Sequence, residues 1–196
     1  MRSSICKSVL LVGACIMTIF GAWGQAPKAA KPALSSLDVA LTYDAAHANI
    51  VPGNNFWLQG GSLQAHYRLW HGLGAVAEIA GLHNANMNGS GVGLDIVTTT
   101  FGPRYTWSPA HRRYALFGQF LIGTANGMNS VFPTATGTES SSNGLALQLG
   151  GGVNIPIARH FDVRALEAGW LHTQLPNTST DEQNNLRIGA GMVFKF

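Results

Sequence analysis

Cysteine is nearly missing from this chain of 196 residues: its two examples, Cys6 and Cys15, both precede Ile16. The remainder has no disulfide framework, no thiolate metal site and no cysteine nucleophile to offer. Charge is scarce too. Asp, Glu, Lys and Arg make up 11% of the residues, against about 25% in soluble domains. After the apolar stretch Ser8 to Ala22 there is no second run approaching the ~20 residues of a spanning helix. The isoelectric point lies near 9.1, but the basic residues are scattered and form no run, so no nucleic-acid partner is expected. What the chain does have is glycine, 24 residues of it, and short alternating segments.

At the N-terminus, Arg2 and Lys7 precede the apolar stretch, and small residues follow it. This reads as a secretory signal peptide over residues 1–26, cut after Ala26 in Gly24-Gln25-Ala26-Pro27. A rival reading is a lipobox, Val12-Gly13-Ala14-Cys15, with Cys15 lipidated. The apolar run continues past Cys15 through Ile16, Met17, Ile19 and Phe20, which suits a lipoprotein poorly. A retained anchor is a third reading, although the stretch is short for one. Residues 27–36, with two prolines and two lysines and no periodicity, read as a flexible linker. Residues 37–196 then form one domain.

Within that domain strand-like runs alternate with turn-rich segments. The expected strands are Leu37–Tyr43, Phe56–Trp70, Leu73–His83, Leu94–Trp107, Arg113–Ala125, Leu145–Asn154, Phe161–His172 and Leu186–Phe196. The second is the clearest: Leu63, Ala65, Tyr67 and Leu69 fall on one face, and Ser62, Gln64, His66 and Arg68 on the other. Connections run long, short, long, short, long, short, long. The longest, Asn126–Asn143, is polar and expected to be an external mobile loop. Hydrocarbon demands that every backbone group be paired internally, which only helices and closed barrels achieve. With no second spanning helix, the reading is all-β: an eight-stranded antiparallel transmembrane up-and-down β-barrel with short turns at one end and long loops at the other. Trp57, Tyr67, Trp70, Tyr105, Trp107, Tyr114, Trp170, Phe194 and Phe196 fall near strand ends and suit interfacial girdles.

The last segment carries a resemblance. From Leu186 to Phe196 every second residue is apolar, with Arg187, Gly189, Gly191 and Lys195 between. It resembles the C-terminal strand of bacterial outer-membrane β-barrels, where a terminal Phe is an assembly signal. Gly191, Phe194 and Phe196 fit that pattern, while Gly189 stands where the pattern has a large polar residue. Gly102-Pro103-Arg104-Tyr105, Phe117-Gly118-Gln119-Phe120 and Gly150-Gly151-Gly152-Val153 also look like strand segments of the small barrels, of the type of the OmpA transmembrane domain. The resemblance implies residence in the bacterial outer membrane, among its lipids and lipopolysaccharide. It further implies contact with the barrel-assembly machinery through the C-terminal strand, a monomeric state, and no cofactor.

Parity sends Gln64, His66, Arg68, Glu78, Arg104, Gln119, Gln148 and Arg187 into the lumen. Eight strands leave an interior that side chains roughly fill. The expectation is a plug of ion pairs, Glu78 with Arg104 or Arg68, in preference to a pore. Arg164 and Glu167 have opposite parity, so a bulge or a rim position is expected between them. No catalytic or metal residue is assigned. His83-Asn84-Ala85-Asn86 is similar to the His-x-Ser-Asn of lipopolysaccharide deacylases, but Ala85 cannot attack an ester, and Ser90 has the wrong spacing. His47, His71, His111, His160 and His172 are dispersed and lack metal-ligand spacing. Asp181-Glu182 reads as a solvated loop, and Gly150-Gly151-Gly152 lacks the Lys-Ser/Thr and helix of a phosphate loop. The leading function is structural or adhesive through the external loops. The alternatives are a lipid-modifying enzyme and a soluble lipocalin-like barrel.

The terminal aromatic yields the first prediction. Deleting Phe196, or replacing it with Ser, should lower the folded fraction recovered in the outer membrane. Unchanged insertion of the shortened chain would reject an assembly role.

Overall fold

The computed structural model describes residues 37–51, 54–87, 91–110, 112–177 and 181–196. The signal segment 1–26 with Cys15, the linker 27–36, Ser90 and His111 lie outside the described residues. Eight strands follow one another: β1 (Leu37–Val51), β2 (Asn54–Trp70), β3 (Leu73–Asn84), β4 (Leu94–Trp107), β5 (Ala115–Thr134), β6 (Gly137–Ala158), β7 (Phe161–Thr173) and β8 (Gln183–Lys195). Each pairs antiparallel with its sequence neighbours, and β8 pairs with β1 from Asp38↔Lys195 to His47↔Leu186, closing the barrel.

Alternation decides which side chains point where. On β2, Leu63, Tyr67 and Leu69 are exposed on the outer wall, while Ser62, Gln64 and His66 are buried inside. The same holds on β1, where Leu41 and Tyr43 face out and Asp38, Thr42 and Asp44 face in. The outer wall is therefore apolar around the ring, with Ile79, Phe101, Phe120, Leu149, Ile188 and Met192 among its exposed residues. A lipocalin has the opposite arrangement, with its apolar side chains turned inward, so that alternative is set aside. Bands of exposed aromatics mark both ends of the wall: Tyr67, Trp70, Tyr105, Trp107 and Phe196 toward the chain termini, and Trp57 and Trp170 toward the far end. Tyr114 lies beyond the strands, half-buried.

Two expectations about the connections need correction. Asn126–Asn143 is not an open loop. β5 and β6, 20 and 22 residues long, run on as a paired hairpin through Phe132↔Glu139 and Thr134↔Gly137. β1 likewise continues past Tyr43 to Val51. The alternation of long and short loops is thus only partly kept: positions 52–53 and 135–136 are as short as the turns 71–72 and 159–160, whereas 108–114 is longer than expected. The cause is backbone pairing. A polar pair of strands satisfies its N–H and C=O groups as completely as an apolar pair does, so β5 and β6 continue where their side chains no longer face hydrocarbon. The end asymmetry lies in strand length more than in loop length.

At the expected position between Arg164 and Glu167 the β7–β8 register shifts, and both residues are buried. The bulge absorbs one residue and turns two charges of opposite parity to the same side. A second irregularity, between Met128 and Phe132, includes Asn129 at φ 57°. It bends the hairpin so that Phe132 is buried over the barrel mouth. Gly127 makes room: a Cβ there would stand 2.5 Å from the Phe132 ring.

The outward position of Ala65 is open to a direct test. Ala65→Arg places a charge on the apolar wall and should destabilise the folded barrel by about 2–4 kcal/mol if the site lies near the bilayer midplane. Urea unfolding in lipid vesicles measures this, and a change under ~0.5 kcal/mol would contradict the facing.

Candidate functional site: the barrel interior

The interior is divided along its axis. In its middle lies a network of charged and amide side chains centred on Gln64. The Gln64 oxygen accepts from Arg104 and from Arg164 Nη1 (2.6 Å), and its amide nitrogen donates to Glu78 and to Glu167 Oε1 (2.8 Å). An amide can do this because it carries both acceptor and donor functions on one planar group. Glu78 on β3 is held by Arg187 on β8 through two parallel bonds of 2.7 and 2.9 Å, the fork geometry in which Arg–carboxylate pairs are strongest. Arg164 Nη1 donates to Glu167 at 2.6 Å, and Arg187 also reaches Glu167 at 3.4 Å. Gln119 accepts from Arg104 Nε at 2.9 Å and donates to Glu167 at 3.1 Å. Gln148, with its amide turned to suit its neighbours, donates to Glu78 at 3.0 Å and accepts from Gln119 and Arg187.

The structure places the residues expected in the lumen as follows. Gln64, His66, Glu78, Arg104, Gln119, Gln148 and Arg187 are all buried inside, and Arg68 is half-buried at the rim near the chain termini. The expected pairing is corrected: Glu78 pairs with Arg187, not with Arg104 or Arg68. Arg68 instead meets Asp38 at 3.3 Å, beside His66 at 3.2 Å. Arg104 bonds to two amides, and its guanidinium lies 4.3 Å from the Phe117 ring centre, with that of Arg164 4.6 Å from the same ring. Cation–π attraction thus replaces part of the missing counter-charge. Asp38, Asp44, Asp162 and Lys195 are further inward residues that the sequence reading passed over. Lys195 pairs with Asp162. Their signal was the same alternation: Asp38, Thr42 and Asp44 share one parity, and Lys195 shares that of Arg187.

Toward the far end the interior turns apolar, which was not anticipated. Ala46, Leu58, Leu82, Leu94, Ile96 and Leu171 pack together inside the barrel, and Phe132 and Leu175 cover them, with Met87 against the cluster. Gln183, Asn185 and Thr173 are buried at the same level, with Thr173 donating to Gln183 at 3.0 Å, so the mouth is uncharged yet not wholly apolar.

Gly191 and Phe194 sit on the closing strand, and Phe196 follows its last residue. A Cβ at Gly191 would come within 2.0 Å of the Leu41 carbonyl, so only glycine allows β8 to approach β1 there. Phe194 packs edge-on against Phe161, ring centres 5.6 Å apart, and the Phe196 N–H donates to the Leu37 carbonyl at 2.9 Å. His83 faces outward at the far end, and its partner is the Asp95 carboxylate, which also accepts from Asn129. Among the described residues no cluster of three His, Cys, Asp or Glu side chains is gathered to hold a metal ion.

Comparison with known proteins gives the architecture its relatives. Neisserial surface protein A superposes with a TM-score of 0.64 at 14% identity, over 83% of this chain and 98% of that one. Ail, the attachment invasion locus protein of Yersinia pestis, follows at 0.54 and 17%, over 82% and 99%. A structure of Ail in complex with the heparin analogue sucrose octasulfate gives 0.51 and 18%, over 81% and 97%. The chain has the fold of the small outer-membrane β-barrels. At these identities the likeness is one of architecture, and the apolar outer wall agrees with it independently: such a wall is at home in a bilayer. No protein-family model matches the sequence, and no curated protein matches it.

The Glu78–Arg187 pair provides the test of the network. Arg187→Met leaves Glu78 buried without its fork and should cost about 3–5 kcal/mol, whereas Glu78→Gln combined with Arg187→Met should recover most of that loss. Unfolding of the variants in detergent or lipid measures both. Equal stability of the single and double variants would show that the pair is not what holds this layer.

Proposed function

We propose that this outer-membrane barrel is closed and non-catalytic and acts as an adhesin through the β5–β6 hairpin. With both termini on the periplasmic side, the far end is external. One observation carries the adhesive reading. Beyond Met128, which pairs with Asp95, β5 has no partner but β6 among the described residues, and beyond Ala146↔Thr173 and the Gln174 N–H to Leu145 carbonyl bond, β6 has none but β5. Among the described residues the hairpin therefore extends past the ring with no strand partner on either outer edge. A free edge is a row of unpaired N–H and C=O groups, a template for an extended polypeptide to add as a further strand. Polar side chains such as Thr138, Ser140 and Ser142 keep that edge soluble until a partner arrives.

Polyanion binding, for which the Ail complex with a heparin analogue would be the precedent, is less well supported. Segments 44–63, 79–99, 121–148 and 171–186, whose described residues include the far end, contain no Lys or Arg. A sulfated chain would find no cation there.

The enzyme reading loses ground for a chemical reason: the His83–Asp95 pair faces outward, and Ala85 stands where a deacylase needs its hydroxyl.

Cells displaying the wild-type chain should adhere to an immobilised extracellular-matrix protein. Replacing residues 129–141 with an Asn-Gly turn should reduce adhesion at least tenfold while the barrel still folds. Phe132→Ala, which unseats the hairpin but keeps its strands, should weaken adhesion by less than the truncation does. Equal adhesion by the wild type and the truncated barrel would reject the hairpin as the binding element.

A further inference from the structure

The outer wall is interrupted in one sector. On β5, β6 and β8 it carries large side chains such as Phe120, Leu149, Ile188 and Met192. At Ala65 on β2, and between Leu73 and Ile79 on β3, it does not. Ala75 lies between Tyr67 and Pro103, and Ala77 lies between Ala65 and Phe101. The small side chains leave an apolar groove of about 560 Å³, with Tyr67, Leu73 and Phe101 standing beside it. It occupies the half of the wall nearer the chain termini. From Leu73 to Ala77 it spans four residue steps, roughly 13 Å of strand at ~3.3 Å per residue, close to the ~15 Å depth of one leaflet's hydrocarbon.

The ground beyond the groove is charged, and of one sign. β4, which forms one side, ends at Trp107, and the turn that follows carries Arg112 and Arg113, both exposed. Among the described residues at this end there is no exposed Asp or Glu, since Asp38 and Asp162 are buried with Arg68 and Lys195 as partners. A long apolar trough on a wall whose end near the termini carries two guanidiniums, neither in an ion pair among the described residues, suits a molecule with a long tail and an anionic head.

We propose that the groove is a binding site for one anionic glycerophospholipid of the periplasmic leaflet. An acyl chain lies over Ala65, Ala75 and Ala77, and the phosphate sits against Arg112 and Arg113. The proposal rests on the reading of the chain as an outer-membrane barrel with its termini on the periplasmic side. Guanidinium groups favour phosphate through paired N–H donors, and Tyr105 and Trp107, exposed on the same stretch of β4, stand at the depth where aromatic rings meet headgroups.

Native mass spectrometry tests this on the full chain extracted in mild detergent, with phosphatidylglycerol or phosphatidylethanolamine added to the micelles. The wild type should retain one phosphatidylglycerol, at several times the occupancy of phosphatidylethanolamine. Ala77→Phe fills the groove and should abolish the adduct. Arg112→Gln with Arg113→Gln, both on an exposed turn, should keep a lipid adduct but equalise the two lipids. Heat-modifiable gel mobility verifies folding, and if Ala77→Phe does not fold, the arginine variant decides alone. Equal retention of the two lipids by the wild type, an unchanged preference in the arginine variant, or an undiminished adduct in folded Ala77→Phe each overturns the proposal. A dimer in place of a lipid adduct, lost in Ala77→Phe, would assign the groove to a second copy and overturn it too. A chain that stays in solution without detergent would instead overturn the outer-membrane reading itself.

Discussion

The seam between β8 and β1 is the contact on which the rest depends. Its ladder runs from Asp38↔Lys195 to His47↔Leu186. Without it, two strands would present unpaired backbone groups to hydrocarbon, at several kcal/mol for each group. With it, the sheet has no edge in the bilayer. Closure by only eight strands also fixes a narrow interior. The inward polar residues then have no bulk water to retreat to and must satisfy one another. The ion-pair network follows from ring closure, and at Gly191, where a Cβ would meet the Leu41 carbonyl, the seam depends on a glycine.

Among the described residues inside the ring and at its rim, acids and bases are equal in number: Asp38, Asp44, Glu78, Asp162 and Glu167 against Arg68, Arg104, Arg164, Arg187 and Lys195. Their arrangement is not a set of isolated pairs. Gln64 stands between two arginines and two glutamates and lets like charges share a layer without facing each other. Burying charge is costly unless each group is bonded. The amides of Gln64, Gln119 and Gln148 add bonds without adding charge. Nearer the mouth the protein stops using charge, and Leu58, Leu94 and Ile96 fill the same inward positions that Gln64 and Arg104 occupy lower down.

Much of the architecture was legible because a strand's period of two is read directly from the chain. Leu94–Trp107 matches β4 end to end, and the lipid-facing and lumen-facing sets of β2 are as the alternation implied. The first strand reads shorter than it is because Asp44-Ala45-Ala46-His47-Ala48 offers little contrast between faces, and alanine is at home on either. The hairpin reads as a loop in the sequence because Ser, Thr and Asn are common in both, and because its ordering comes from strand pairing and one seated phenylalanine, not from its own composition. Partner choice inside the barrel was beyond reach. Glu78 and Arg187 lie on β3 and β8, and which strands meet across the lumen is set by strand tilt and stagger, quantities absent from any local pattern. The apolar mouth could have been found: Leu94 and Ile96 are in phase with Arg104, and Leu58 is in phase with Gln64.

Phe132 has a consequence for how the molecule holds together. A two-stranded hairpin standing alone in water is marginal, and most of this one projects past its neighbours. Because the bulge at Asn129 brings Phe132 down onto Leu175 and the apolar interior, the projecting strands and the barrel share a single core. The hairpin is not an independently folding appendage. Its order is borrowed from the ring beneath it, so the presented edges exist only on barrels that have already closed.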